Sequence, residues 1–245
     1  MIVGRACVLL RSAVRSALAL CYPGVCTVCR RDAPSDRPLC DRCDGEMSVR
    51  EAMAACVRCG GPLATAGSPC PWCEGRGRPP LGRVARLCLF DGPVRQVVHQ
   101  LKYRDRWPLV RHIVDRMLLR AAVLDVLRPA DCLVATPLHW RRHIGRGYNQ
   151  SQVLADAIGR RLGLPVVRPA VRIRDTHAQA LLTSQTEREA NLRGAFALIH
   201  DRPVADRRVV LIDDVMTSGA TLRELARTLA DAGPASMDAL VIAVA

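Results

Sequence analysis

Hydrophobic and polar positions fall into two regimes along the chain. From about residue 81 onward, short apolar runs alternate with longer amphipathic stretches. Ala85 to Phe90 predicts a strand, and Val94 to Lys102 and Leu109 to Leu127 predict helices with arginines on one side. Asp131 to Thr136 is an apolar run ended by Pro137, followed after a loop by a helix from about Gln150 to Leu162 that Gly163 closes. Val166 to Ile173 reads as a strand interrupted at Pro169. Val209 to Asp213 and Ala239 to Val244 are β-branched and apolar on both faces, as in strands covered by helices on both sides. Between them, Ala220 to Ala232 forms a helix stopped by Gly233-Pro234. The alternation predicts an α/β domain over 81–245, a mostly parallel sheet flanked by helices.

The first 80 residues lack this rhythm. Met1 to Leu20 is apolar but carries Arg5, Arg11 and Arg15. Arg11 cuts the apolar run too early for a spanning helix or a signal segment, and bulky Leu20 precedes Cys21 where a lipoprotein box needs a small residue. Residues 1–22 therefore read as an amphipathic helix packed on the protein, without membrane insertion, in a cytoplasmic chain.

Residues 23–80 are organised by cysteine instead. Eight of the 12 cysteines form four C-x-x-C pairs, Cys26/Cys29, Cys40/Cys43, Cys56/Cys59 and Cys70/Cys73, and the first two pairs recur 30 residues later as the second two. Two such pairs can complete the tetrahedral all-sulfur shell that Zn²⁺ favours, so a double zinc-ribbon module with two structural zinc ions is expected. A module this small and this poor in apolar residues needs such staples. Disulfides would require an oxidising compartment, and a redox motif would need one C-x-x-C rather than a periodic array; iron–sulfur ligation uses the same thiolates and stays open. Pairing in sequence order, Cys26, Cys29, Cys40 and Cys43 on one ion and Cys56, Cys59, Cys70 and Cys73 on the other, closes the shorter loops. Cys7, Cys21, Cys88 and Cys132 lie outside the pattern and read as buried small apolar residues. Glu74 to Gly82 is rich in glycine and proline and reads as a linker.

Charge adds a direction. The formal net charge is +13, distributed as +4 over the first 80 residues and +9 over the rest, and Lys102 is the only lysine. An arginine surface suits phosphate-bearing partners. Aromatic residues make up only 3%, which leaves few platforms for stacking bases.

The most informative segment is Val209 to Leu222, VVLIDDVMTSGATL. An apolar strand delivers the chain to the carboxyl edge of the sheet, where ligands bind in such folds. Asp213 and Asp214 follow, and Thr217, Ser218, Gly219, Ala220 and Thr221 turn into the next helix. The free N–H groups of that helix start, with the hydroxyls around them, make a cradle for a monophosphate, and Gly219 lets the backbone come close. It is no Walker loop, because GK[ST] is missing. An acidic pair would repel a phosphate but accepts hydrogen bonds from the hydroxyls of a ribose. The simpler alternative, two acids ending a strand and a threonine capping a helix, does not account for the whole order.

This segment resembles the signature with which type I phosphoribosyltransferases bind 5-phosphoribosyl 1-pyrophosphate (PRPP). Together with the cysteine-rich start, FDGPVRQVVHQLKYR (Phe90 to Arg104), TPLHWRRHIGRGYNQ (Thr136 to Gln150) and RIRDTHAQALLTSQTEREANLRGAF (Arg172 to Phe196), the chain is similar over nearly its whole length to the competence-associated ComF family. That resemblance implies a type I phosphoribosyltransferase-like domain behind a zinc-binding module, a role with DNA-uptake machinery in natural transformation, and weak binding of single-stranded DNA. It implies PRPP or a related ribose phosphate held with Mg²⁺, Asp213 and Asp214 as the catalytic acids, and Thr136, Pro137, Leu138 and His139 as a pyrophosphate loop. Arg141, Arg142 and Arg146 follow as anion clamps, and Asn149 is a second functional candidate that can equally be a helix cap. Arg174 to Gln179 falls where related folds keep a mobile lid, and Ser184 with Glu187 forms a capping box. His177 reads as a loop histidine. Thr217 stands where six-oxopurine enzymes carry an aspartate, which disfavours hypoxanthine or guanine salvage. Two classes remain, an enzyme transferring a phosphoribosyl group and a non-catalytic sensor of PRPP or nucleotide that binds single-stranded DNA.

Overall fold

The computed structural model describes residues 24–74, 80–101, 107–176, 185–200 and 203–245. The expected helix over 1–22, with Cys7 and Cys21, lies outside them, as do Lys102, His177, Gln179, Ser184 and most of the expected linker. No helix among the described residues is long and apolar enough to cross a membrane.

Five parallel strands form the centre: β3 (Val84–Leu89), β4 (Cys132–Ala135), β5 (Val166–Val167), β8 (Arg208–Met216) and β9 (Ser236–Val244), in the order β3-β9-β8-β4-β5. Successive side chains point to opposite faces. Val210, Ile212, Leu240 and Ile242 pack on one side against α2 (Pro93–Gln100), α3 (Trp107–Leu118), α4 (Ala121–Leu127) and α6 (Gln150–Leu162). Val209, Leu211, Ala239 and Val241 pack on the other against α8 (Ala220–Ala230), Leu192 of α7 (Gln185–Leu192), and Ala170 and Phe196 of the antiparallel pair β6 (Ala170–Arg172) and β7 (Phe196–Leu198). At the amino edge, Arg83 grips Asp238 at 2.7 Å and Arg208 grips Asp131 at 2.8 Å, which fixes register at the end of the sheet remote from the loops.

Several elements depart from the sequence pattern for local reasons. The expected helix Leu109 to Leu127 breaks at Arg120, whose backbone is extended (φ −91°, ψ 122°) while its guanidinium donates to the Glu51 carbonyl at 2.7 Å. Val166 to Ile173 divides at Pro169 between two sheets. The loop after His139 contains a helix, α5 (Trp140–Arg146), that buries none of its residues and so leaves no hydrophobic period to detect.

In the cysteine module, β1 (Gly24–Val25) and β2 (Asp32–Ala33) pair around the first C-x-x-C turn. Cys40 is the N-cap of α1 (Asp41–Ala52) and Cys43 sits in its first turn, so half of the first cysteine set rides on a helix rather than a second hairpin. The repeat is visible in the backbone: Arg30 N–H donates to the Cys26 carbonyl at 3.0 Å and Gly60 N–H to the Cys56 carbonyl at 2.7 Å. Both residues are left-handed, with φ of 63° and 68°. Cys88 and Cys132 are buried, as expected of small apolar residues.

The module shares a core with the sheet domain. Leu39 and Met47 of the first half pack with Leu87 and α3, while Trp72 of the second half packs beside Val84 and Leu81. Between them runs a half-buried ion network. Arg116 of α3 donates to Glu51, to Asp44 at 2.8 Å and to the Ser48 hydroxyl at 2.7 Å, and His112 Nε2 lies 2.8 Å from the same Asp44 oxygen. Removing one partner of such a network strands the other charge. Arg116→Ala should therefore lower unfolding stability by about 3 kcal/mol, whereas Arg111→Ala, in an exposed pair with Asp115, should cost about 1 kcal/mol at most. Urea denaturation of both variants checks the network; equal midpoints would mean that it does not join the module to the sheet.

Candidate functional site

Strands β4 and β8 pair from Cys132–Val209 to Ala135–Ile212, and Thr136 N–H still reaches the Ile212 carbonyl at 2.9 Å. There they part. The chain leaves β4 through α6 to β5 and leaves β8 through α8 to β9, in opposite directions and on opposite faces. A crevice must open where neighbouring strands diverge in this way, the switch point of an open α/β sheet. It holds a cleft of about 300 Å³, lined by residues 136–138, Arg142, Arg146, Asn149, Gln150, Ser151, Arg172 and 213–222, with Phe90 and Val98 on its apolar side.

The structure brings most of the sequence-selected residues into this one cleft. Asp213 does not end the strand and Asp214 does not follow it, as the pattern suggested; both lie within β8, which keeps pairing with β9 as far as Met216–Val244. Asp213 is buried, and its Oδ1 accepts from the Ser151 hydroxyl at 2.8 Å and the Asp214 N–H at 2.9 Å. Burial, and then the adjacent Asp214 carboxylate, push its pKa up to about 7 against those two hydrogen bonds and the nearby Thr136 hydroxyl. Asp214 is less buried and accepts from the Val215 N–H at 2.7 Å.

Gly219 is the N-cap of α8 with φ of 74°, a conformation in which any Cβ is strained. A Cβ there would also fall 3.0 Å from an Arg223 nitrogen. The turn is held by Arg223, which donates to the Ser218 carbonyl at 2.7 Å, and Thr217, Ser218, Ala220 and Thr221 line the cleft around it.

On the opposite wall, Asn149 is the N-cap of α6. It accepts from the Ser151 N–H at 3.1 Å and donates to the Thr136 carbonyl at 2.9 Å, so its amide ties the loop after β4 to the helix that presents Ser151. Thr136, His139 and Gln150 are buried, with His139 Nδ1 and Gln150 Nε2 lacking hydrogen-bond partners. His139 does not line the cleft; it stands 3.7 Å from Asp175. Arg146 and Arg142 line the cleft, and Arg141 does not.

Two contributors escape the sequence pattern. Ser151 follows an ordinary cap and announces itself only through its contact with β8. Arg172, on β6, lies over the Phe196 ring at 5.7 Å and donates to the Thr176 hydroxyl, while Arg142 donates to the Thr176 carbonyl. Burial, and then the neighbouring Arg142, lower the Arg172 pKa to about 10.

The two cysteine sets assemble in sequence order. Cys26, Cys29, Cys40 and Cys43 place their sulfurs within 4.8 Å of one another, as do Cys56, Cys59, Cys70 and Cys73. Four convergent thiols and no oxygen ligand make a donor set that can bind zinc. Burial works against the Cys26 thiolate, yet the backbone N–H groups of Cys29, Cys40 and Val28 outweigh it and hold that thiol at about 6. Burial and the neighbouring sulfurs push Cys43 above the usual thiol range.

A carboxyl raised by folding favours the protonated native state, so its penalty is absent well below the ordinary Asp range and grows as pH rises toward the raised pKa. Asp213→Asn keeps an acceptor for Ser151 and removes the charge. The variant should be more stable than the parent at pH 8, on the order of a few kcal/mol, and the gain should shrink as pH falls from about 7 toward 4. Thermal unfolding across that range tests it; a gain independent of pH would contradict the buried carboxyl.

Residues 149–244 match the phosphoribosyl transferase domain family. The chain is 33% identical over 224 residues to DNA utilization protein YhgH of Salmonella typhimurium, covering 89% of this chain and 96% of that protein. It is 33% identical over 227 residues to DNA utilization protein YhgH of Escherichia coli K12, covering 91% of each, and 28% identical over 198 residues to competence protein F of Haemophilus influenzae, covering 78% and 85%. Among solved structures it is similar to the glutamine PRPP amidotransferase of B. subtilis complexed with ADP and GMP (TM-score 0.39, 21% identity), over 59% of this chain and 30% of that one. With a parallel sheet of the expected kind behind two four-cysteine clusters, and with relatives that match nearly end to end, the chain belongs to the ComF family of phosphoribosyltransferase-like proteins.

Proposed function

We propose that the cleft binds PRPP or a related ribose 5-phosphate with Mg²⁺, and that the chain serves DNA uptake in the cytoplasm; the relatives named DNA utilization protein and competence protein support a role with DNA. The observation that carries this reading is one crevice holding both an acidic pair, Asp213 buried and Asp214 half-buried, and a glycine-opened helix start. The N–H groups and hydroxyls of residues 217–221 suit the 5-phosphate. Asp214, whose carboxylate is less buried than that of Asp213, suits the ribose hydroxyls. Thr136 to Leu138 with Arg142, Arg146 and Arg172 suit a pyrophosphate, and the unpartnered Gln150 Nε2 is a further polar atom on that wall. Mg²⁺ would neutralise the pyrophosphate, taking few ligands from the protein. Asp213 holds Ser151 and so keeps α6 against β8, which makes it as much a positioning group as a ligand.

Single-stranded DNA is the proposed macromolecular ligand. Helix α5 supports this, because its exposed Trp140 lies 5.3 Å beneath the Arg141 guanidinium, an aromatic face and a cation beside the cleft. Eight free thiols gathered in two sets suit a reducing compartment.

Calorimetry with PRPP and Mg²⁺ should show binding that Asp214→Asn and Gly219→Val each weaken at least tenfold, the first by removing an acceptor and the second by blocking the backbone approach. Wild-type affinity in both variants would reject the site, and pyrophosphate release across nucleobases separates turnover from binding. Single-stranded DNA should bind with a salt slope of roughly −0.7 per neutralised phosphate. Arg141→Glu with Trp140→Ala should reduce that slope and the low-salt affinity. Binding insensitive to salt, or none at low ionic strength, would remove the DNA ligand and leave the small-molecule reading standing.

A further inference from the structure

Arg86 is the anomaly of the edge strand. It lies on β3 at 6% exposure, and among the described residues it makes no ion pair with a carboxylate. One guanidinium nitrogen donates to the carbonyls of Met53 and Ala54, at 3.2 and 3.1 Å, just past the end of α1, and the other, Nη1, is buried without a partner. Carbonyl dipoles at a helix end offset part of a positive charge. A buried guanidinium normally requires a full counter-charge as well, because desolvation costs several kcal/mol per ion.

The neighbourhood supplies one conditionally. Residues 53 and 54 lead directly into the second cysteine turn, Val84 N–H donates to the Val57 carbonyl at 3.2 Å, and Gly60 sits against Val84 and Val244, so the second cluster is docked on the strand that carries Arg86. Burial lowers the Arg86 pKa; Cys88 opposes this, Arg120 adds to it, and Cys59 of the second cluster opposes it by the smallest amount. Four thiols are neutral, but four thiolates around a divalent ion form a net dianion.

We propose that Arg86 is the charge partner of the metal-loaded Cys56/Cys59/Cys70/Cys73 cluster, a positioning residue whose burial is balanced only when that cluster holds its ion. The inference rests on zinc occupancy of the two sets. Its consequence is asymmetric: metal at the second cluster also fastens β3, whereas the first cluster, centred on the start of α1, has no such partner in Arg86.

The test follows zinc release from purified full-length protein into a chromogenic chelator, with alkylation and mass spectrometry identifying which cysteines become labelled first. Arg86→Gln keeps an N–H donor for the carbonyls and removes the charge; Arg86→Lys keeps the charge. Two equivalents of zinc are expected in the parent. In Arg86→Gln the equivalent from Cys56, Cys59, Cys70 and Cys73 should leave at least tenfold faster with the other unchanged, and Arg86→Lys should stay within about threefold of the parent. Thermal stability supplies a second readout: Arg86→Gln should be less stable than the parent when loaded and more stable when the metal has been stripped under reducing conditions. Two zinc ions in the parent with equal release from both sites in Arg86→Gln, or Arg86→Lys releasing as fast as Arg86→Gln, would overturn the proposal. A parent without zinc would instead refute the occupancy on which it rests. If Arg86→Gln does not fold, Arg86→Lys against the parent still decides, since accelerated release from the second site alone would show that hydrogen bonding rather than charge holds it.

Discussion

A parallel sheet must be covered on both faces, and its outer strand must not be left as an open row of hydrogen-bonding groups. β3 is that outer strand, and the solution here is the cysteine module. Its first half lies on the side of the sheet that carries α2, α3 and α4, its second half packs with the α8 side, and the chain between them passes the free edge of β3. Helix α1 is thereby held by groups from three directions: Arg116 from α3, Arg86 from β3 and Arg120 from the start of α4. The module's own apolar content is too small for an independent core, so thiol clusters give it internal order and the sheet domain gives it a surface to bury against.

At its carboxyl end, the same sheet gains its chemistry by the divergence of β4 and β8. The apolar residues of those strands up to Ala135 and Ile212 are spent on the two faces, and polar groups collect in the crevice at their carboxyl ends. Placing two carboxylates within the strand, between Ile212 and Val215, is expensive, and the raised pKa of Asp213 reflects that cost. Ser151 and the Asp214 N–H offset part of it. Ser151 reaches Asp213 from the helix that Asn149 caps, and Asn149 also holds the Thr136 carbonyl, so the acidic pair, the cap and the loop after β4 are joined by one run of hydrogen bonds. The Asn149 choice between cap and functional residue therefore dissolves: capping is how it shapes the cleft.

What the sequence made legible follows from where the signal was local. The strands at Val209 and Ala239 are β-branched on both faces, Gly163 takes the left-handed position that ends α6 (φ 69°), and the thirty-residue cysteine period returns as matching turns at Arg30 and Gly60. Long-range contacts hid the rest. Arg120 breaks a helix that its sequence would continue, because it reaches a carbonyl 69 positions away. α5 has no buried face, so it carries no period; Ser151 is an unremarkable helix residue until β8 arrives beside it. A boundary near residue 80 is drawn by composition, yet the packing crosses it through Leu39, Met47 and Leu87.

The repeated turns show how function constrains otherwise equivalent positions. Arg30 and Gly60 occupy the same place in the repeat and the same left-handed region, where glycine is favoured and arginine is tolerated at some cost. A Cβ at position 60 would meet the Val84 carbonyl and the Val244 side chain at 3.3 Å, because that turn is pressed on the ends of β3 and β9. The turn at Arg30 has no such demand and can carry a long charged side chain into solvent. One half of the repeat thus keeps glycine for docking and the other does not, so the two clusters, alike in their sulfurs, differ in what they hold: the first organises the start of α1, and the second anchors the edge strand of the sheet whose far end builds the cleft.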